Sequence, residues 1–282
     1  MRAIVLDASG QPQLADLPAP EPSLEVLACG LCGSDVEKIG RAPAGTVLGH
    51  EVVVRAASDR EALIHHRPCG ACARCRAGHE STCERFAEAT IVPGGLAERV
   101  VATEGVVIPD EIDDARATMV EPLACVLRGA EQVPRGRVLV VGNGFVGRLF
   151  TSVLERRGDE VFAIDADPRR AGRAPDGPVD AAVVCAGAKT GTTLAEAALA
   201  TVEPGGTVLL FADAGALPAE PVYRRELTVV GSRSATPEAM HVAASLLPEL
   251  DLPEPLVLPL DRFADGLDLF LRREALKVVF VP

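Results

Sequence analysis

The chain has 282 residues, 48% of them apolar, which is enough for a substantial core and long for one domain of about 150 residues, so two domains are expected. A net charge of −12 without any Lys/Arg run excludes a basic footprint for phosphate backbones or anionic lipid, so neither nucleic acid nor a membrane surface is an expected partner. The opening apolar run stops at Asp7 and nowhere do ~18 apolar residues occur together, so the expected setting is soluble and cytoplasmic, where eight cysteines serve as metal ligands or core residues rather than cross-links.

In chain order, residues 1 to about 123 carry short β-branched stretches, Ala3 to Leu6, Val52 to Val54 and Arg99 to Val101, separated by Gly, Pro and Asp. This texture predicts an irregular, mostly β domain with long functional loops. From Arg137 apolar strands alternate with Ala-rich helical stretches: Val138 to Val141, Phe145 to Arg157, Val161 to Ile164, Ala181 to Cys185, Thr193 to Val202 and Val208 to Phe211. That alternation predicts a parallel α/β sheet. A helix at Pro237 to Leu247, Pro-rich extended chain, a short helix at Phe263 to Arg272 and a last strand at Lys277 to Val281 complete the order.

Three motifs carry chemistry. Cys69, Cys72, Cys75 and Cys83 offer four thiolates in one short loop, a complete tetrahedral shell that leaves no position for substrate, and so predict a structural zinc. The competing readings are an iron–sulfur cluster, disulfides and four unrelated cysteines; the last spacing is longer than the bacterial ferredoxin pattern requires. Second, Val138 to Val141 runs into Gly142-Asn143-Gly144-Phe145-Val146-Gly147 and a helix, and Asp165 closes the next strand. Glycines permit close approach of a pyrophosphate to the helix N-terminus, and the acid accepts from the adenosine ribose hydroxyls. Asp165 favours NAD; Arg169 and Arg170 leave NADP open. Third, Cys29 to Asp35, Gly49-His50-Glu51 and Glu121-Pro122-Leu123 supply a thiolate, an imidazole and carboxylates that could converge as an open zinc site. On spacing alone, Cys29 and Cys32 could instead form a redox pair and His50 be an ordinary buried histidine.

The ordered set formed by the Cys32-Gly33-Ser34-Asp35 segment, Gly49-His50-Glu51, the four-cysteine loop, Gly95 to Glu98, Pro109-Asp110-Glu111, Glu121-Pro122-Leu123 and the glycine fingerprint resembles the zinc-dependent medium-chain dehydrogenases of alcohols, polyols and sugars, nearly end to end. The resemblance implies an α/β protein with a GroES-like, mostly β catalytic domain from 1–123 and 237–282, bearing the structural zinc lobe, and a Rossmann domain, a doubly wound parallel sheet, at 124–236. It implies two zinc ions, one catalytic and one structural, NAD or NADP, and a homodimer or homotetramer. Cys32 and His50 resemble catalytic zinc ligands, Glu121 the third ligand of the polyol and sugar branch, Glu51 the adjacent carboxylate and Asp35 an acid that hydrogen-bonds His50. Cys29 is then a neighbour and not a ligand. Zinc would act as Lewis acid on an alcohol, polyol or sugar hydroxyl while hydride passes to the nicotinamide.

Ser34 matches the hydroxyl that takes the alkoxide proton. Glu37 stands where many relatives place a relay histidine; glucose-dehydrogenase-like members carry a glutamate there, and the resemblance implies that Glu37 touches a substrate hydroxyl or accepts the proton. Gly142, Gly144, Phe145, Val146, Gly147, Asp165 and Arg170 form the implied cofactor set. Two other functions compete, a catalytically silent NAD(P)H-binding scaffold with structural zinc only and a zinc-free quinone-reductase-like enzyme, which would lack the set Cys32, His50 and Glu121. The chain is also short for the resemblance: 18 residues separate His50 from Cys69, and between Asp165 and Val183 there is room for only a stub of helix and a minimal third strand.

Overall fold

Runs that are apolar at every position, rather than alternately, belong to strands covered on both faces, and Val138 to Val141 and Ala181 to Val184 are such runs. In the computed structural model they form the centre of a five-stranded, wholly parallel sheet. Its order is Thr228–Gly231, Val202–Leu210, Val179–Val184, Arg137–Val141, Glu160–Ile164. The structure describes residues 1–86, 90–101 and 103–282; in the helix Ala188–Thr201 the side chains of 188–193 are outside the description. The central runs are fully buried, and the helices Phe145–Arg157 and Ala188–Thr201 each follow one of the central strands and precede its neighbour in the chain. This is a Rossmann-type sheet.

The chain divides into two compact units, one made of 1–124, 235–249 and 253–282, the other of 125–234 and 250–252. The first holds a seven-stranded sheet whose path runs Leu256–Pro259, Val278–Val281, Ser23–Gly30, Glu51–Arg55, Arg60–Leu63, Gly105–Val107, with Arg99–Val101 paired to Ser23–Gly30. Only the pair Leu256–Pro259 with Val278–Val281 is parallel. Ile4, Leu31, Leu48, Val52, Leu63 and Phe280 contribute to its core, and Cys29 is buried among them. Cys29 is thus a core residue. The stretch shortened in the sequence is a hairpin: Glu51–Arg55 and Arg60–Leu63 are joined through residues 56–59, closed by Ala56 N–H to Asp59 O at 2.9 Å.

Where a stub of helix and a third strand had room beside Glu160–Ile164, neither forms. Residues 166–170 turn, and the chain then crosses the edge strand with two hydrogen bonds, Gly172 N–H to Ala163 O at 3.1 Å and Ala163 N–H to Arg173 O at 3.0 Å. Too few residues remain to extend a ladder before Val179 begins its own strand. Arg173 and Arg137 place their guanidinium groups 4.3 and 4.7 Å from the ring of the buried Phe162, and both pair with Glu160. Side chains thus cover what a missing helix would otherwise shield. Phe162→Ala is expected to cost about 3 kcal/mol through the cavity it leaves, read as a lowered midpoint in chemical denaturation.

Candidate active site

Cys32 stands at the N-terminus of the six-residue helix Gly33–Lys38, and the third helical residue, Asp35, turns its carboxylate back toward the start of the helix. That carboxylate is fully buried and accepts from Cys32 N–H at 3.3 Å, Gly49 N–H at 3.0 Å, His50 Nδ1 at 3.2 Å and Lys38 Nζ at 3.3 Å. Gly49, at φ +94°, turns the chain into the strand Glu51–Arg55 at a place where a Cβ would meet Leu96 N at 2.5 Å. His50 and Glu51 therefore sit at the mouth of that strand. Cys32 Sγ, a ring nitrogen of His50 and a carboxylate oxygen of Glu51 lie within 4.8 Å of one another.

Burial alone would push the Asp35 carboxyl up, but the His50 ring, Lys38 and the Gly49 amide together hold it well below the usual carboxylate range. Burial opposes a charge on His50 too, yet Asp35 and Cys32 outweigh it and raise the basicity of the ring. A metal cation in place of the proton meets the same two anionic neighbours. With Nδ1 donating to Asp35, Nε2 is the nitrogen left for a ligand, and Ser34 Oγ lies 3.4 Å from it. Thiolate, imidazole and carboxylate are the donor types zinc takes in catalytic sites, so the residues fit that ion.

Two sequence candidates lie outside this group. Glu121 is buried on the first turn of the helix Val120–Ala130 and is not among the atoms that converge within 4.8 Å. Glu37 is exposed on the helix Gly33–Lys38, one turn beyond Ser34.

The four cysteines Cys69, Cys72, Cys75 and Cys83 also converge, with all four sulfurs within 4.8 Å of one another. The sulfurs of Cys69 and Cys75 are 4.0 Å apart, far beyond a disulfide bond and close to the roughly 3.8 Å that a tetrahedron of 2.3 Å zinc–sulfur bonds requires. Backbone amides aim at the sulfurs: Cys72 N–H to Cys69 Sγ at 3.3 Å, Cys75 N–H to Cys72 Sγ at 3.4 Å, Cys69 N–H to Cys83 Sγ at 3.4 Å. Amides from Glu84 and Cys75 bring the Cys72 thiol down to about 6. Burial and the neighbouring thiols push Cys75 up to about 12. The chemistry of this knuckle is that of a structural zinc.

In the other unit, Gly142 (φ +93°) follows the strand Arg137–Val141, and Gly144 caps the helix Phe145–Arg157. Any Cβ at Gly147 would fall 2.1 Å from Gly142 O, so the first turn of the helix closes onto the glycine turn only with glycine there. Asp165 accepts from Asn143 N–H at 2.8 Å and from Asp167 N–H at 2.8 Å. Asn143 Nδ2 donates to Arg170 O at 2.6 Å, and Arg170 Nη1 lies 3.6 Å from where a Gly144 Cβ would be. Arg169 is paired with Asp167 at 2.7 Å. The result is a bare-backbone cradle at a helix N-terminus beside a fixed carboxylate.

Residues 20–113 match the family described as the alcohol dehydrogenase GroES-like domain. D-altritol 5-dehydrogenase of Agrobacterium fabrum is 30% identical over 277 residues, covering 81% of this chain and 82% of its own. The chain belongs to the zinc-type medium-chain dehydrogenases/reductases. L-galactonate-5-dehydrogenase of Escherichia coli is 26% identical over 281 residues, covering 83% of each chain. The solved structure of alcohol dehydrogenase TADH from Thermus sp. ATN1 superimposes with a TM-score of 0.82 at 25% identity, over 100% of both chains. The protein is an oxidoreductase of hydroxyl groups, and no helix among its described residues is long and apolar enough to cross a membrane.

Two residues at the site of this dehydrogenase escape a reading of its sequence. Lys277, buried just ahead of the strand Val278–Val281, donates Nζ to Glu51 Oε2 and, at 3.3 Å, to Leu31 O. Gly30 makes room for the pair, since a Cβ there would collide with Glu51 Oε2. The only sequence signal is a lone lysine opening an apolar run. His65 brings its ring centroid to 4.5 Å from that of His50, and burial, with the charge of His50 nearby, holds it neutral, down to about 3.

Lys277→Met leaves Glu51 buried without its counter-ion and is expected to cost about 3 kcal/mol, whereas the double variant Lys277→Met/Glu51→Gln recovers much of that loss; denaturation midpoints of the four proteins of the cycle measure both. In the cysteine lobe, zinc binding must displace a proton from Cys75 at any pH below about 12, and below about 6 it must also displace one from Cys72. Zinc release to a colorimetric chelator is therefore expected to increase as pH falls and to steepen below about pH 6.

Proposed function

We propose that this dehydrogenase is zinc-dependent and uses NAD(P) to interconvert a secondary hydroxyl of a polyol or sugar with a carbonyl. The observation that carries the reading is the convergence of Cys32, His50 and Glu51 with Asp35 on the far nitrogen of His50. The substrate class is supported by relatives named for altritol and galactonate, and by an aromatic content of 3%. Bulky aromatic alcohols usually sit among aromatic side chains.

A zinc ion held by Cys32, His50 and Glu51, with Glu121 the carboxylate that the family resemblance offers in the place of Glu51, would supply the Lewis acidity that lowers the pKa of the substrate hydroxyl. Asp35 fixes the His50 tautomer and ring orientation. Ser34, whose hydroxyl both accepts and donates, takes the substrate proton, and Glu37, three residues along the helix and exposed, passes it to water. The turn from Gly142 through Gly144, Phe145, Val146 and Gly147 holds the pyrophosphate at the start of its helix. Asp165 takes the ribose hydroxyls and disfavours a 2′-phosphate, and Arg169 is engaged by Asp167, so NAD is the proposed cofactor, with Arg170 beside the glycine turn. The cysteine lobe holds a second, structural zinc.

The test is a screen of polyols, sugars and simple alcohols with NAD and NADP, following reduced nicotinamide, on protein whose zinc has been counted. Two zinc ions per chain and NAD-dependent turnover of polyols are expected; failure with every alcohol at full zinc loading would leave only a nucleotide-binding scaffold. Cys32→Ala is expected to abolish turnover and remove one zinc while NAD still binds, and unchanged activity would end the catalytic-zinc assignment.

A further inference from the structure

Lys38 is the last residue of the helix Gly33–Lys38, a place where a lysine ordinarily serves the free carbonyls of the final turn. Two of those carbonyls are already taken, Val36 O by Ile39 N–H at 3.1 Å and Lys38 O by Arg41 N–H at 3.0 Å and Ala42 N–H at 2.8 Å. The side chain instead runs back one turn, the direction in which helical side chains lean, and sets Nζ 3.3 Å from Oδ1 of Asp35. Its own side chain is 39% exposed and the carboxylate it meets is fully buried. A charge partly in water thus reaches the acid that orients His50.

The oxygen it meets is crowded. Oδ1 accepts from Gly49 N–H at 3.0 Å, from His50 Nδ1 at 3.2 Å and from Lys38, while Oδ2 accepts from Cys32 N–H at 3.3 Å. A carboxylate oxygen has about two lone-pair sites, so three donors share them. The ammonium therefore draws on the same lone pairs that polarise the His50 ring. Its charge is felt there: against burial, it adds to His50 in keeping Asp35 ionised, and it joins burial and His50 in keeping His65 neutral. Two backbone amides and the His50 ring already satisfy the carboxylate. What Lys38 adds is a countercharge.

We propose that Lys38 is a positioning residue that sets the donor strength of His50 through Asp35, drawing charge from the oxygen that polarises the ring so that His50 is the weaker metal ligand and the metal the stronger Lewis acid. The inference rests on the zinc reading above and deepens it. A carboxylate on one ring nitrogen raises the basicity of the other, and a cation on the same carboxylate oxygen reduces that effect. The more charge the ligands give a cation, the less it has left to polarise a hydroxyl. Affinity for zinc and activation of the hydroxyl therefore move in opposite directions when the charge at position 38 is removed. A lysine that only held Asp35 in place would move both the same way, since a displaced His50 binds and activates less well.

The experiment compares wild type with Lys38→Met, Lys38→Gln and Lys38→Arg. Zinc affinity is read by competition with a chromogenic chelator, the site in question being the one lost in Cys32→Ala and the zinc of the cysteine lobe serving as internal reference. Hydride transfer is read as reduced nicotinamide formed in a single turnover with NAD and the best polyol at saturating zinc. Lys38→Met and Lys38→Gln are expected to hold that zinc about fivefold more tightly and to transfer hydride about fivefold more slowly, a modest effect because the charge is partly in water. Lys38→Arg keeps the charge and is expected to match wild type within about twofold in both. In an Asp35→Asn background Lys38→Met is expected to change neither; if Asp35→Asn does not fold, the contrast between Lys38→Gln and Lys38→Arg carries the test. Weaker zinc together with slower transfer in Lys38→Met would reduce Lys38 to a structural contact. Unchanged zinc affinity, or Lys38→Gln behaving as Lys38→Arg, would overturn the assignment. A wild type that holds zinc in the cysteine lobe alone ends both the catalytic-zinc reading and the role of Lys38. A wild type with two zinc ions, and variants that leave the Cys32-dependent one unchanged, ends the role of Lys38 alone.

Discussion

The carboxylate of Asp35 ties the candidate site together. The two segments that carry Cys32 and His50, the turn entering Gly33–Lys38 and the turn entering Glu51–Arg55, share no ladder hydrogen bonds with each other, and their meeting point is one buried side chain that accepts from both backbones and from the His50 ring. Its charge is stabilised by those donors, by His50 and by Lys38, which outweigh the burial that opposes it. The same contact sets which nitrogen of His50 faces the thiolate. Position, tautomer and local field therefore come from one residue, and the glycine at 49 is there because the chain must pass close to Leu96 for that contact to exist.

The third member of the group is held from elsewhere. Glu51 is the first residue of its strand and is paired across the sheet with Gly30, the residue before Leu31, whose carbonyl also receives Lys277. A segment returning from the C-terminal part of the chain thus completes a centre whose other parts lie within the first 51 residues. Two charges removed from water together are tolerable where each is hydrogen-bonded, and Gly30 supplies the space that lets them approach.

Much of this was legible in the sequence because its signals are local. Cys32, Ser34 and Asp35 fall within one helical turn, His50 and Glu51 are adjacent, the four cysteines share one loop, and the glycine turn follows its own strand. The parallel sheet was legible because Val138 to Val141 and Ala181 to Val184 are apolar at every position. What failed to show depends on distant partners or on mixed composition. Ser23–Gly30, central to its sheet, carries Glu25, Cys29 and Gly30 and is not among the β-branched stretches that mark strands in the sequence. Lys277 meets Glu51 across 226 residues, a pairing that no periodicity announces. His65 reads as half of a histidine pair before a cysteine knuckle, and only the ring-to-ring contact with His50 separates it from His66. The helix stub and third strand that the length still allowed are replaced by a turn and two hydrogen bonds, because too few residues remain after the turn to extend a ladder before Val179.

That replacement bears on how the molecule behaves in a crowd. A parallel sheet ending in Glu160–Ile164 presents a row of peptide groups on which another chain could lay a strand, the common route from a native fold to a polymer. The crossing at Gly172 and Arg173 occupies both peptide groups of Ala163, and Arg137, Glu160, Arg173 and Asp176 surround the margin with charges of both signs. A foreign strand would have to displace the crossing and strip water from those charges at the same time. A Rossmann-type sheet can thus do without a strand and remain colloidally quiet, with two hydrogen bonds and a few well-placed ions guarding its edge.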